Sequence, residues 1–267
     1  MKTPALVISN PAGRRSDESD LSAVKTLRKA LAILDAFAAA ERPLTVAEAA
    51  VRAGVTRPTA HRLIQTLIGE GYLAHDPGDS RVSAGYSVLM LAGTLLDANP
   101  IRLESLPHLE ALARTTGERV GLGILHRHQI LYLAGAEKPS LPTIFSRFGK
   151  TAPAYTSAIG KSILTHMSEP ELAAYLGAVP LVRHTALTIT DEASLRAELA
   201  EVRREGFAVD RGEYEPCRHC VGAPVLVHDR PVAAIAVIGR MLEPLLSHKD
   251  EVKYAAEVIA HVLGRGT

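Results

Sequence analysis

The chain is short of several features that would place it in a class at once, and each shortage excludes something. With 30 Lys and Arg against 29 Asp and Glu its formal net charge is +1, so attraction to nucleic acid has to come from local clusters rather than a global basic field. Two cysteines, Cys217 and Cys220, are too few for a disulfide scaffold. No apolar run approaches the roughly 18 to 20 residues that a membrane helix needs. The opening MKTPALVISNPAGRRSDESD also lacks the apolar stretch of a secretory signal, so the expected compartment is the cytoplasm and no membrane partner is expected. There is no G-x-S-x-G elbow for a serine hydrolase. Gly160-Lys161-Ser162 ends like a phosphate-binding loop, but Tyr155 stands where that loop needs its first glycine, which argues against nucleotide binding. No metal and no cofactor is expected. What is present is 267 residues with 47% hydrophobic, enough for two domains with packed cores.

Residues 1–20 mix Pro, Gly, Ser, Asn and both charges without an apolar period and read as a disordered tail. A helix follows from about Leu21 to Ala40, with Leu27, Leu31, Leu34 and Phe37 at near-helical spacing. Lys25, Arg28 and Lys29 lie on its other faces, as a solvated basic surface or as phosphate contacts.

The stretch TVAEAAVRAGVTRPTAHRLIQTLIGEGY, Thr45 to Tyr72, holds two short helical patterns around one glycine. Thr45 is placed to cap the first helix, whose Ala47, Ala50 and Val51 share a face, and Gly54 permits the reversal that ends it. The second begins at Thr56 with Pro58 in its first turn, where a missing N–H costs nothing. Ala60, Leu63, Ile64, Leu67 and Ile68 form its apolar stripe, while Arg57, Thr59, His61, Arg62 and Gln65 point elsewhere. Those side chains carry base-edge and phosphate chemistry on the N-terminal half of a second helix, as a helix-turn-helix requires. Small helical bundles share the bare pattern. What separates this chain from them is the next segment: an extended run from Gly71, the turn Asp76-Pro77-Gly78-Asp79 and a return at Arg81-Val82-Ser83, which together read as a wing. The expected winged helix-turn-helix domain spans 21–84, with Lys25, Arg28, Thr45, Thr56, Arg57, Pro58, Thr59, His61, Arg62, Gln65 and Arg81 as candidate contacts to double-stranded DNA.

From Tyr86 an apolar helix runs with too few polar residues to be left in water alone, and Pro100 stops it; residues 85–100 read as a linker helix that packs on a neighbour or pairs with its twin. Residues 101–267 have a different pattern. A helix carries Leu103, Leu106, Leu109 and Leu112, then Val120–Leu125 and Gln129–Ala134 form a hairpin around His126-Arg-His128. Leu141–Phe148 is a third strand candidate. Helices are expected near Ala158–His166, Glu169–Leu176 and Glu192–Glu205, the last capped by Thr190 or Asp191. Strands return at Phe207–Val209, Val221–Val227 and Val232–Ile238, the last two joined at His228-Asp229-Arg230, and a helix from about Ser247 to Leu263 closes the chain. Helices are segregated from strands, which argues for an α+β fold with a largely antiparallel sheet.

Cys217, His219, Cys220 and His228 have finger-like spacing, but a structural zinc needs four ligands on two rigid elements, and here one pair sits at the mouth of a strand. Cys220 reads instead as a buried or pocket-lining thiol. Asp210, Glu213 and Glu215 crowd the same connection, where carboxylates serve as a solvated loop face, a dimer contact or ligand acceptors.

TRPTAHRLIQTLIGEGYL, the linker helix, TAPAYTSAIGKSILTHM and GFAVDRGEYEPCRHCVGAPVLVHDRPVAAIAVIG together resemble the isocitrate-lyase-regulator (IclR) family of bacterial transcription factors, over about residues 24 to 265. The most specific part is the late signature of Gly206, Asp210, Glu213, Cys220, Val221 and Gly222. The resemblance implies a GAF-like C-terminal domain that binds a small organic effector, a homodimer or homotetramer, and a pseudo-palindromic operator. Carried over by position, the effector pocket is lined by Thr156, Ser157, Ala158, Ile159, Asp210, Cys220, Ala236 and Ile238. Some members have serine where this chain has Ala236 and Ile238, which argues against a small, highly polar effector. A helix starting near Tyr155–Ser157 offers unpaired N–H groups to a ligand carboxylate, and the alternative is that Thr156 and Ser157 merely cap it. An aromatic or similarly apolar acid is therefore expected. The other class in play, an enzyme or signalling module on the GAF-like domain, is distinguished by whether the protein binds its own upstream DNA.

Overall fold

The computed structural model describes residues 21–40, 42–138 and 148–265. The expected tail, 1–20, lies outside them, and so does most of the expected strand at Leu141–Phe148, of which Phe148 alone is described, in a turn. The described residues fall into two compact units, 21–98 and 99–265.

The first unit contains α1 (Leu21–Ala38), α2 (Val46–Arg52), α3 (Arg57–Gly69), the hairpin β1 (Leu73–His75) and β2 (Val82–Ala84), and α4 (Tyr86–Ala98). Thr45 starts α2 as half of a reciprocal cap. Its hydroxyl accepts the Glu48 N–H at 3.2 Å while the Glu48 carboxylate accepts the Thr45 N–H at 2.8 Å, satisfying two backbone donors that a helix start leaves bare. Gly54 takes φ 64° to turn the chain, and Pro58 sits in the first turn of α3. Ile33, Phe37, Leu44, Ala49, Ala50, Ala60, Ile64, Leu73 and Val82 close one core, and Leu44 bridges antiparallel to Val82 at the base of the wing.

Two helical faces differ from expectation. In α1 the buried residues are Ile33, Ala36 and Phe37, while Leu27 and Leu31 are 59% and 50% exposed. The helix carries two apolar rows, and the unit's core takes only one. In α2 the buried pair is Ala49 and Ala50, whereas Ala47 and Val51 face solvent. α4 has no buried residue and exposes Tyr86, Leu89, Met90, Leu91 and Leu95.

The second unit is an antiparallel six-stranded sheet with helices on both faces. Its strands are β3 (Arg119–His126), β4 (Gln129–Ala136), β5 (Thr151–Pro153), β6 (Ala208–Asp210), β7 (His219–Val227) and β8 (Arg230–Gly239), in the order β5-β4-β3-β8-β7-β6. Both hairpin turns, Arg127-His128 and His228-Asp229, hold two residues at positive φ, the backbone that suits a right-twisted pair of strands. Pro100–Thr116 forms α5, begun by Asn99 accepting the Arg102 N–H at 3.0 Å and ended by Gly117 at φ 67°. With α9 (Leu242–Leu246) and α10 (Lys249–Arg265) it covers one face through Leu109, Leu112, Val120, Leu122, Val237, Val252 and Ile259. The opposite face is covered by a 3-10 turn at Ala154–Thr156, α6 (Ala158–Leu164), α7 (Glu169–Ala178) and α8 (Glu192–Glu205). Expected boundaries hold to within a few residues, and Asp191 is the cap of α8. β5 and α9 were not foreseen. They are three and five residues long, too short to show a period.

Candidate DNA-reading face and effector site

The polar face of α3 follows from its buried stripe. Ala60 and Ile64 are enclosed and Leu63, Leu67 and Ile68 half-buried, which turns Arg57, Pro58, His61, Arg62 and Gln65 outward. Thr56, at the helix start, shares a 2.9 Å hydrogen bond with the half-buried Thr59. Lys25 and Arg28 are exposed on α1. Two residues expected on this surface are committed elsewhere. The Thr45 hydroxyl belongs to the α2 cap. Arg81 folds back, donating to the Pro43 carbonyl at 3.1 Å and pairing with Asp79 at 3.1 Å and Glu48 at 3.6 Å. Glu48 is the hub of this corner: the hydrogen bond from Arg42, with those from Thr45, holds its carboxyl down at about 2.

The eight expected effector positions converge on the α6 side of the sheet. Thr156, Ser157, Ala158, Ile159, Asp210, Cys220, Ala236 and Ile238 are all buried. The strand register explains how. Asp210, Cys220 and Ile238 stand opposite one another on β6, β7 and β8. The neighbouring tier runs Gly135, Gly121, Ala236, Gly222 and Ala208 across five strands, so it carries nothing larger than a methyl group. That bare tier lets α6 come close to the sheet, since a Cβ on Gly222 would lie 3.2 Å from that of Ala158. Within α6, Gly160 presses on the 3-10 turn so tightly that a Cβ there would meet the Ala154 carbonyl oxygen at 2.0 Å. Close approach of backbone to backbone accounts for the glycine at position 160.

The polar groups of the site are largely engaged. Thr156 donates to the Pro153 carbonyl at 2.9 Å, and Ser157 accepts the Gly160 N–H at 3.0 Å as the cap of α6. Asp210 Oδ1 accepts the Gly212 and Glu213 N–H groups at 3.0 and 2.9 Å, while Oδ2 faces the Cys220 sulfur at 3.8 Å. Burial pushes the Asp210 carboxyl above its usual range, against the pull of the Glu213 N–H, Arg218 and Lys161.

Two cations here escaped the sequence reading. Lys161 is wholly buried on α6, its ammonium 2.7 Å from Glu213 and 2.8 Å from Glu198 on α8. Arg218 lies two residues ahead of Cys220 with its side chain 11% exposed, its Nη1 3.0 Å from Glu215 and its guanidinium 5.8 Å from the Tyr214 ring centre. Both stand inside stretches that matched the family pattern; nothing in the local sequence signals that a lysine or arginine there turns inward. Cys217 is exposed with φ 62° while Cys220 is buried, and among the described residues no three His, Cys, Asp or Glu side chains gather to hold a metal. No described helix is long and apolar enough to cross a membrane.

Comparison with known proteins bears on both units. Residues 26–77 match the IclR helix-turn-helix domain, and residues 93–262 match the bacterial transcriptional regulator IclR C-terminal domain. The chain is 29% identical to the HTH-type transcriptional regulator XynR of Escherichia coli K12 over 87% of its own length and 90% of that protein. The crystal structure of the Thermotoga maritima IclR is 31% identical, with a TM-score of 0.66, covering 90% of this chain and 99% of that one. An IclR homolog from Microbacterium hydrocarbonoxydans, crystallised with 4-hydroxybenzoate, shares the fold at 23% identity and a TM-score of 0.73, over 91% of this chain and all of the other.

Proposed function

The chain belongs to the IclR family of bacterial transcriptional regulators, and from that premise we propose that it reads a pseudo-palindromic operator through α3 and releases or grips it in response to an aromatic or similarly apolar organic acid held on the α6 side of the sheet. The observation that carries the effector half is the convergence of the eight positions on one buried face. There Ile159, Ala236, Ile238 and the Cys220 thiol supply apolar surface that suits a ring better than a two- or three-carbon keto acid. The M. hydrocarbonoxydans homolog, crystallised with 4-hydroxybenzoate, supports a ligand of this size on this fold.

On the DNA side, Arg57, His61, Arg62 and Gln65 supply the base-edge and phosphate groups, and Lys25 and Arg28 add backbone contacts. Thr56, Pro58 and Thr59 set the start of the reading helix, while Thr45 and Arg81 brace the scaffold behind it. Residues 21–84 form the reading domain, 85–100 the linker and 101–267 the sensing domain. A homodimer or homotetramer fits the exposed row of α4, because one winged helix covers too little DNA for tight specific binding.

The test is titration of labelled DNA from upstream of the protein's own gene, with and without a panel of aromatic acids, pyruvate and glyoxylate. Specific binding that an aromatic acid shifts supports the proposal. Failure to distinguish that DNA from scrambled sequence sinks the operator reading, and tighter binding of the keto acids overturns the ring-sized site.

A further inference from the structure

The buried Lys161 and the nearly buried Arg218 are treated differently by the fold. Lys161 is met by two carboxylates. Arg218 is met on one side only: Nη1 reaches Glu215, whose own side chain is 44% exposed, while Nε and Nη2 are sealed from solvent with no hydrogen-bond partner among the described residues. Asp210 does not fill the gap, since its Oδ1 is taken by two backbone N–H groups and its Oδ2 faces Cys220. Buried donors left unmade are costly and rare in folded proteins. The two on Arg218 are also a matched pair, because Nε–H and the adjacent Nη2–H point the same way at the spacing that takes both oxygens of one carboxylate.

Arg218 also stands in the right company. Its electrostatic neighbours include Cys220, Tyr132 and Asp210. Cys220 and Asp210 are effector positions, and Tyr132 on β4 belongs to the same cluster beneath α6. By contrast, the start of α6, where the sequence suggested a ligand carboxylate would dock, has both its hydroxyls engaged locally by Pro153 and Gly160.

We propose that the Nε–Nη2 edge of Arg218 receives the carboxylate of the effector, which makes Arg218 the residue that selects an acid over a neutral molecule of the same shape. This rests on the reading that the C-terminal unit binds a small organic acid. The ring then lies toward the Cys220, Ile238 and Ile159 side, and the acid end points at the β6–β7 connection, which begins after Asp210 and carries Glu213.

The experiment is calorimetry on the full-length protein with benzoate and 4-hydroxybenzoate, their carboxamides, pyruvate and glyoxylate, using wild type, Arg218→Gln and Arg218→Lys. In the wild type the acid binds more tightly than its amide. Arg218→Gln weakens the acid by roughly ten- to a hundredfold and the amide by no more than about threefold. Arg218→Lys recovers part of the loss, because it keeps the charge without the fork. A merely structural arginine would weaken acid and amide alike, so an unchanged acid-to-amide ratio in Arg218→Gln overturns the proposal and leaves the organic-acid reading standing. Binding of pyruvate or glyoxylate alone, lost in Arg218→Gln, supports Arg218 and overturns the ring-sized effector. No binding of any of these carboxylates to the wild type counts against both.

Discussion

The Lys161 ammonium lies 2.7 Å from a Glu213 oxygen and 2.8 Å from one of Glu198, so a single buried cation ties α6 to α8 and to the β6–β7 connection. Burial pushes the Glu213 carboxyl up despite Lys161. Burial also acts against Glu198, but Lys161 and Arg211 together bring that carboxyl below its usual range. Removing the cation strands Glu213 in the interior. Lys161→Met should destabilise the sensing unit by about 3 to 5 kcal/mol, and Lys161→Met with Glu213→Leu should recover much of that loss, because the desolvation penalty then falls on no one. Thermal unfolding of both variants checks it; equal losses would mean that a stranded Glu213 is not what the single variant costs.

Asp210 sets the sign of a pH dependence. Its carboxyl is raised in the folded protein by burial, so the native state holds that proton more tightly than the unfolded chain. Stability from this group is therefore fully present below the ordinary aspartate pKa and is lost as pH rises through the raised folded value; Glu213 works in the same direction. In Asp210→Asn the Oδ1 acceptor for the Gly212 and Glu213 N–H groups remains, and the titration goes. Urea midpoints followed from acid to neutral pH should fall less steeply in the variant. A steeper fall would place the stabilising charge on the ionised form instead.

Glycine at 160 is a steric demand, and the contrast with Gly177 tests it. A Cβ at position 160 meets the Ala154 carbonyl oxygen at 2.0 Å and its carbon at 2.5 Å, both backbone atoms that cannot swing aside, while nothing lies within 4 Å of one at position 177 in α7. Gly160→Ala should cost at least about 1 to 3 kcal/mol by overpacking. Gly177→Ala should gain roughly 0.5 to 1 kcal/mol through helix propensity. Parallel unfolding curves decide, and a neutral Gly160→Ala would show that α6 can move off the turn.

Arg57 and Arg62 differ from Arg81 in what their loss should do. The first two are exposed with no ion pair to an acidic side chain among the described residues, so alanine at either should cost about 1 to 3 kcal/mol of operator affinity if it reads a base, or weaken all sequences alike if it holds a phosphate. Arg81→Ala loses the tie to Pro43, Asp79 and Glu48 and should lower the unfolding temperature of the reading domain more than it lowers DNA affinity at saturating protein. Matched titrations on operator and scrambled DNA separate these outcomes. Unchanged affinity in both Arg57→Ala and Arg62→Ala would remove α3 from the groove.

Several parts of this molecule were determined by the sequence alone because their causes are local. Thr45, Gly54 and Pro58 set where α2 and α3 start and stop; His126-Arg127-His128 and His228-Asp229-Arg230 mark where the hairpins turn; and the spacing of Ala60, Leu63, Ile64 and Leu67 turns Arg57, His61, Arg62 and Gln65 outward. Backbone propensity and a 3.6-residue period act within a few neighbours, so a reader of the chain can follow them. The tertiary structure alone decided the rest. Ile33, Ala36 and Phe37, and not Leu27 and Leu31, enter the core of the first unit, because a helix with two apolar rows leaves the choice to whatever packs against it. Lys161 finds its partners 37 and 52 residues away, and two sealed Arg218 donors are left unmet among the described residues. Charge pairing across such separations depends on where the sheet brings each chain segment, and no spacing in the sequence encodes that.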